Sequence, residues 1–197
     1  MRSLNRLITK LITIYPKPLQ RLLVGSVFIS QEERFLRKER VDGSYDMETG
    51  EIILWHPENA SEEDLFVVLT HEWGHKIYHE WLSDRERTEW LKARSQETID
   101  FGLRRFYPTL KLPEEEYCTI FCLVCKKLYW RKIGMKLQSQ KLSQKIKREF
   151  PRAASVVEKH IKGSSKKQLN SAKQGQYHIT HSEVEMVRSW IQNALRH

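Results

Sequence analysis

The sequence predicts a predominantly helical α+β fold, with a small N-terminal antiparallel sheet packed on one long helix and a helical C-terminal subdomain. Two capping-box patterns and a proline followed by acidic residues mark the starts of long helices after residue 60. Before that point, the turn residues 46–50 precede a β-rich segment at 51–55, which indicates a hairpin. We therefore expect the sheet to pack on the helix that follows it.

The first third of the chain is divided into short segments by turn-forming residues. Alternating apolar and basic positions near the N-terminus are typical of an amphipathic helix, which Pro16 and Pro18 interrupt. Pro57 ends the hairpin. The predicted elements are helices at 3–14 and 19–24 and strands at 27–30, 35–40 and 51–55.

Start and stop signals divide the remaining residues into helices. Ser61 with Asp64 and Ser83 with Glu86 have capping-box spacing, and Gly134 is a helix stop. The predicted helices lie at about 62–82, 83–106, 113–133, 136–150 and 152–162, with a last one begun by Ser182 and Glu185 and ending at 195, after a polar linker at 163–176.

The 197 residues suffice for one well-filled core, which we place at 1–134, followed by a basic helical extension at 135–197. Residues 126–175 carry fifteen Lys or Arg and two Glu, a net +13 in a chain of net +9, so the remainder is mildly acidic. Such a region attracts nucleic acid or another polyanion, or is simply a solvated basic face. The sequence leaves both interpretations open.

Apolar patterning predicts a cytoplasmic protein. No apolar run approaches the roughly twenty residues needed to span a bilayer, and no signal-peptide pattern is present. Cys118, Cys122 and Cys125 share one face of a predicted helix with apolar residues, which favours a buried stripe over a disulfide framework or a second metal site.

The segment His71-Glu72-Trp73-Gly74-His75 has the pattern HExxH. Residues i and i+4 share one face of a helix, so both imidazoles can bind one Zn²⁺ ion. Glu72 would then act as general base toward a water molecule that the metal activates. The alternative is the polar face of an ordinary helix. Gly74 weakens a helix, so its presence indicates that another element packs closely there.

A third ligand must come from another part of the chain. His79 lies two turns after His71, too far to share one small tetrahedral ion, so we expect it to support the site or lie at the surface. The acidic start of a later helix, Glu114-Glu115-Glu116, is the best source of a carboxylate ligand.

Over residues 43–125 the chain resembles the gluzincin clan of zinc metallopeptidases, most closely its small lethal-factor-like members. The resemblance rests on the HExGH helix and the downstream acidic helix, and it implies that Glu115 is the third ligand, with Glu114 and Glu116 as alternatives. The family's supporting acid, which hydrogen-bonds a ligand histidine, falls at Thr119, so we expect that contact to be weak or absent.

The resemblance also implies an activity and further residues. It implies a metallopeptidase with one Zn²⁺ ion that acts on a protein or peptide, and we expect an endopeptidase rather than an exopeptidase. Tyr107 is near the place of a tyrosine that stabilises the oxyanion, although a loop aromatic packed on the core is the alternative. The strand expected to hold substrate by strand addition comprises Glu51, Ile52, Ile53 and Leu54.

Other functions remain open on the sequence alone. The protein could be a nucleic-acid-associated or regulatory protein that uses its basic C-terminal helices, with zinc structural or activity lost. Proteases of the SprT type act on DNA-bound proteins, but their downstream histidine pattern is not found here. The segment that follows HExxH in ImmA/IrrE-type regulatory proteases is only faintly echoed by residues 84–87.

Overall fold

The computed structural model describes residues 2–36, 38–55, 60–97, 101, 103, 111–162 and 176–196. These residues form a predominantly helical α+β fold, as the sequence predicts. The helices are α1 (Arg2–Ile12), α2 (Lys17–Leu23), α3 (Glu62–Lys76), α4 (Asp84–Ser95), α5 (Leu112–Lys132), α6 (Lys136–Glu149), α7 (Pro151–Lys162) and α8 (His181–Arg196). The strands are β1 (Val27–Ser30), β2 (Arg34–Leu36), β3 (Glu39–Asp46), β4 (Ile52–Trp55) and β5 (Gln176–Thr180).

The sheet is mixed, which corrects the expectation of an antiparallel N-terminal sheet. Its order is β1-β4-β3-β2, with β1 parallel to β4 and the other pairs antiparallel. The fifth strand, β5, comes from the C-terminal part of the chain and also pairs antiparallel with β3. Because β5 pairs with residues at least 130 positions earlier, local patterning gave no sign of its partner.

The strand expected to hold substrate lies inside the sheet. β4 pairs with β1 on one side and with β3 on the other. Strand addition needs an unpaired edge. The role that the resemblance implies for Glu51, Ile52, Ile53 and Leu54 therefore does not fit this sheet.

Side-chain caps fix the starts of the helices on either side of the histidine motif. Ser61 accepts from the Asp64 amide at 3.1 Å, and Ser83 accepts from the Glu86 amide at 3.3 Å, so both predicted capping boxes are confirmed. α4 ends at Ser95, earlier than expected. α8 begins earlier than expected, because the Glu183 carboxylate caps Thr180 rather than Glu185 capping Ser182.

One hydrophobic core joins the two parts that sequence analysis separates at residue 134. It extends from Leu7 in α1 to Ala194 in α8. α8 packs on α3, and α6 and α7 pack on α5. The C-terminal residues that the structure describes are therefore integral to the fold rather than an extension. None of the described helices combines the length and apolar character needed to cross a membrane.

The contact between α3 and α5 positions the histidine motif. A Cβ atom on Gly74 would lie 2.9 Å from the Cα of Cys118 in α5. Only a glycine permits so close an approach without displacing backbone. The expectation that an element packs closely at Gly74 is thus confirmed, and it brings the acidic start of α5 next to the histidines.

Candidate metal centre

Glu115 in α5 faces both histidines of the motif. Its Oε2 atom lies 3.2 Å from Nε2 of His71 and 3.5 Å from Nε2 of His75. All three side chains are buried. Ligand atoms around a tetrahedral zinc ion, with bonds of about 2.0–2.1 Å, lie roughly 3.3–3.4 Å apart. Glu115 Oε2 thus lies at about the spacing of zinc ligands from each of the two histidine nitrogens.

Glu114, the neighbour of Glu115, fixes the orientation of the second histidine. Its Oε1 atom lies 2.7 Å from Nδ1 of His75 and 2.6 Å from Nε2 of His79. When Nδ1 of His75 donates to this carboxylate, Nε2 keeps its lone pair and faces Glu115. A carboxylate that holds a ligand histidine in this way is typical of metal sites.

Nε2 of His75 is a buried nitrogen without a hydrogen-bond partner among the described residues. Such an atom loses its hydration without compensation unless it binds something. The Nδ1 atom of His71 likewise has no partner in the described part of the chain. A metal ion would satisfy Nε2 of His75, whereas His71 lacks the orienting carboxylate that His75 has.

The electrostatics of the centre favour a cation. Burial alone would raise the pKa of Glu114, but the bonds from His75 and His79 outweigh it and lower that pKa to about 2. Burial opposes ionisation of Glu115 too, yet His75 and His71 lower its pKa below the ordinary value. Two buried carboxylates require positive charge close by. A protonated histidine or a bound metal cation supplies it.

Glu72 is fully buried beside the first histidine. Burial raises its pKa to about 8, while nearby His75 favours the charged form. Neither of its oxygens has a partner of ordinary hydrogen-bond geometry in the described chain, although the Ile179 amide of β5 slightly favours the carboxylate. Gly43 in β3 leaves room for it, since a Cβ there would lie 3.2 Å from Cγ of Glu72. Burial thus favours the protonated form of this carboxyl group.

Two tyrosines cover the histidines, and sequence analysis identified neither of them. The ring of Tyr177 in β5 stacks on His75 with centroids 4.3 Å apart. The ring of Tyr45 in β3 stacks on His79 at 6.1 Å, and its hydroxyl donates to Glu80 at 3.0 Å. Only the pairing of β3 with β5 brings these rings together, so no local signal marked them.

The structure assigns different places to the remaining predicted residues. Glu116 pairs with Arg94 of α4, away from the histidines. The Thr119 hydroxyl has no partner among the described residues, so Glu114 provides the support expected at that position. His79 lies in a π-helical turn, Ile77–Trp81, that continues α3, and it supports Glu114. Tyr107 lies outside the described residues.

Among the described residues, two sets of donors have ligand atoms that all lie within 4.8 Å of one another, and both include His75. One joins His71 and His75 to Cys118, and the other joins His75 and His79 to Glu114. Burial raises the pKa of the Cys118 thiol, so the thiol stays protonated unless a metal binds to it. The contacts of Glu114, at 2.6 and 2.7 Å, are hydrogen-bond lengths, shorter than the spacing of ligands around one ion. Glu115 offers a further carboxylate to the same two histidines, with its Oε2 atom 3.2 Å from Nε2 of His71 and 3.5 Å from Nε2 of His75.

Comparisons of the chain with protein-family models, with curated proteins and with solved structures found no match.

Proposed function

We propose that the protein is a zinc-dependent metallopeptidase of the gluzincin type, with His71, His75 and Glu115 as metal ligands and Glu72 as general base. The observation that carries the proposal is the position of Glu115 Oε2, between the two Nε2 atoms at ligand-like distances. An HExxH helix and a carboxylate from a second helix meet at one point, as the resemblance implies.

The donor set suits zinc in particular. Two imidazole nitrogens and one carboxylate leave one tetrahedral position open, which is the arrangement of catalytic rather than structural zinc sites. When bound, Zn²⁺ would supply a Lewis acid that polarises a carbonyl group and acidifies a water molecule. One ion per chain is expected.

The residues of the chain would divide the remaining tasks. Glu72 accepts a proton from the attacking water and then donates it to the nitrogen of the leaving amine, so the carboxylate is regenerated at the end of the cycle. Glu114 holds His75 with its Nδ1 proton outward and its Nε2 lone pair inward. His79 shares that carboxylate and keeps it in place.

Burial of the centre limits access for a substrate. No side chain of the centre is more than 2% exposed, and this holds for His71, Glu72, His75 and Glu115. Tyr177 lies directly on the ring of His75. A peptide can therefore reach Glu72 only when the covering groups move.

Nucleic-acid binding through the basic region is the alternative function, and local ion pairs weaken it. Lys127 and Lys162 both pair with Glu158, and Lys145 pairs with Glu149. These contacts tie helices together or stabilise one helix, so these three lysines each have an acidic neighbour. The metal centre is the better-supported site.

The zinc content of purified variants tests the proposed ligands. We expect one zinc per chain in the wild type and a large loss in His71→Ala and in Glu115→Gln. The matched controls are His79→Ala and Glu114→Gln, which we expect to retain the metal at stoichiometric concentrations. The opposite result is loss of metal from the controls and its retention in His71→Ala. It would place the ion at the set of His75, His79 and Glu114 and refute the proposal.

A further inference from the structure

A second polar pocket lies at the opposite end of α5, where α5, α6 and α7 meet. Its volume is about 440 Å³. Ligand pockets for small molecules usually measure about 300–1,000 Å³. Along α5, sixteen residues separate Glu115 from Arg131, about 24 Å at the rise of an α-helix. The pocket is therefore separate from the metal centre.

The walls of this pocket carry an excess of positive charge. Four basic side chains, of Lys127, Arg131, Lys136 and Lys162, face one acidic side chain, Glu158. Glu158 pairs with Lys127 and with Lys162 and so holds these two lysines in place. Arg131 and Lys136 have no ion pair among the described residues. Two basic side chains of the pocket are thus held by Glu158, and the other two are available to bind a ligand.

The start of α6 adds to the positive electrostatic potential of the pocket. Lys136 is the first residue of α6, and Met135 before it gives the helix no side-chain cap. The helix dipole places a partial positive charge at this end, although the Lys136 amide itself donates to the Gly134 carbonyl at 2.9 Å. At the adjoining end of α5, the Trp130 carbonyl accepts a hydrogen bond from the Met135 amide at 2.8 Å.

Uncharged hydrogen-bonding groups complete the lining. Ser143 and Gln140, one turn apart on α6, have side chains with no partner in the part of the chain that the structure describes. The Ser139 hydroxyl already donates to the Lys127 carbonyl at 3.1 Å, which joins α6 to α5. Arginine, lysine and hydroxyl groups are donors that bind phosphate oxygens, and this pocket holds all three kinds.

We propose that this pocket binds a small molecule bearing one or more phosphate groups. The convergence of three helices on one pocket favours a small anion over a nucleic-acid strand, which would need a groove that follows its backbone. The site depends on no metal ligand and stands independently of the proposed peptidase activity.

Calorimetric titration with inorganic pyrophosphate tests the pocket. The informative variant combines Arg131→Gln with Lys136→Gln, because both side chains are exposed and unpaired, so the fold should persist. The matched control combines Lys92→Gln with Lys147→Gln, which removes the same charge from exposed positions outside the pocket. We expect the pocket variant to lose at least about tenfold in affinity and the control to change less than about twofold.

Three results would overturn the proposal. Equal weakening in both double variants would indicate only a general electrostatic field. Loss of pyrophosphate binding in His71→Ala would show that the anion binds to metal at the other site. Tight binding of a short single-stranded DNA that both double variants weaken equally would assign the basic region to nucleic acid instead.

Discussion

The two ends of α5 carry opposite charges in opposite surroundings. At its start, Glu114, Glu115 and Glu116 are buried, and each is paired with histidine or arginine side chains. Near its end, Arg131 is exposed and has no ion pair among the described residues. A buried charge must be matched by specific neighbours, whereas an exposed one is matched by water. The contacts at the start of α5 therefore fix the positions of its charged side chains, whereas the charge near its end remains available to a ligand.

The largest expected effect concerns catalysis at the buried end. Glu72→Gln removes the proton acceptor but no ligand, so we expect peptide hydrolysis to fall on the order of 10²–10⁴-fold while zinc content stays constant. Glu62→Gln, which removes an exposed carboxylate from the first turn of the same helix, is the control and should keep full activity. Zinc retention with undiminished activity in Glu72→Gln would rule out the assigned base.

Close packing at Gly74 should have the next largest effect. Gly74→Ala forces the new Cβ against the Cα of Cys118, and the cost of such overpacking is about 1–3 kcal/mol. Chemical denaturation measures it. Cys118→Ala should not rescue the variant, because the Cα remains. Helix propensity alone predicts stabilisation by about 1 kcal/mol, so a gain in the free energy of unfolding would disprove the close approach.

Sequence analysis succeeded where the relevant contacts are local. The i, i+4 spacing placed His71 and His75 on one face, and the capping boxes at Ser61 and Ser83 fixed the helix starts. The glycine in the motif indicated a close neighbour, although not which one. These features depend on at most a turn or two of helix, so the sequence determines them directly.

It failed where distant segments meet. β5 joins the sheet through β3 and brings Tyr177 onto His75, and nothing near residue 177 indicates that partner. The support for His75 comes from Glu114 rather than from position 119, because the rotation of α5 against α3 decides which side chain points inward. Pairings of this kind depend on the packing of whole elements, which local patterns do not encode.

The hydrogen bond from His75 to Glu114 should have a smaller effect, on metal affinity. Glu114→Gln weakens the hydrogen bond from Nδ1 of His75 without removing a proposed metal ligand, so we expect zinc affinity to fall about 10–100-fold. Competition with a chelator of known affinity measures it. Glu48→Gln, an exposed change in the turn between β3 and β4, is the matched control. An unchanged affinity in Glu114→Gln would show that His75 is oriented by packing alone.

The smallest effect is expected at the exposed end of α5. Arg131→Gln should change the free energy of unfolding by less than about 0.5 kcal/mol, because the side chain is solvated and forms no ion pair in the described chain. Glu116→Gln at the other end should cost about 1–3 kcal/mol, because it leaves Arg94 without its buried partner. Urea denaturation of both variants compares the two ends directly. Equal losses would mean that Arg131 is held by contacts as specific as those of Glu116, and the contrast between the two ends of the helix would disappear.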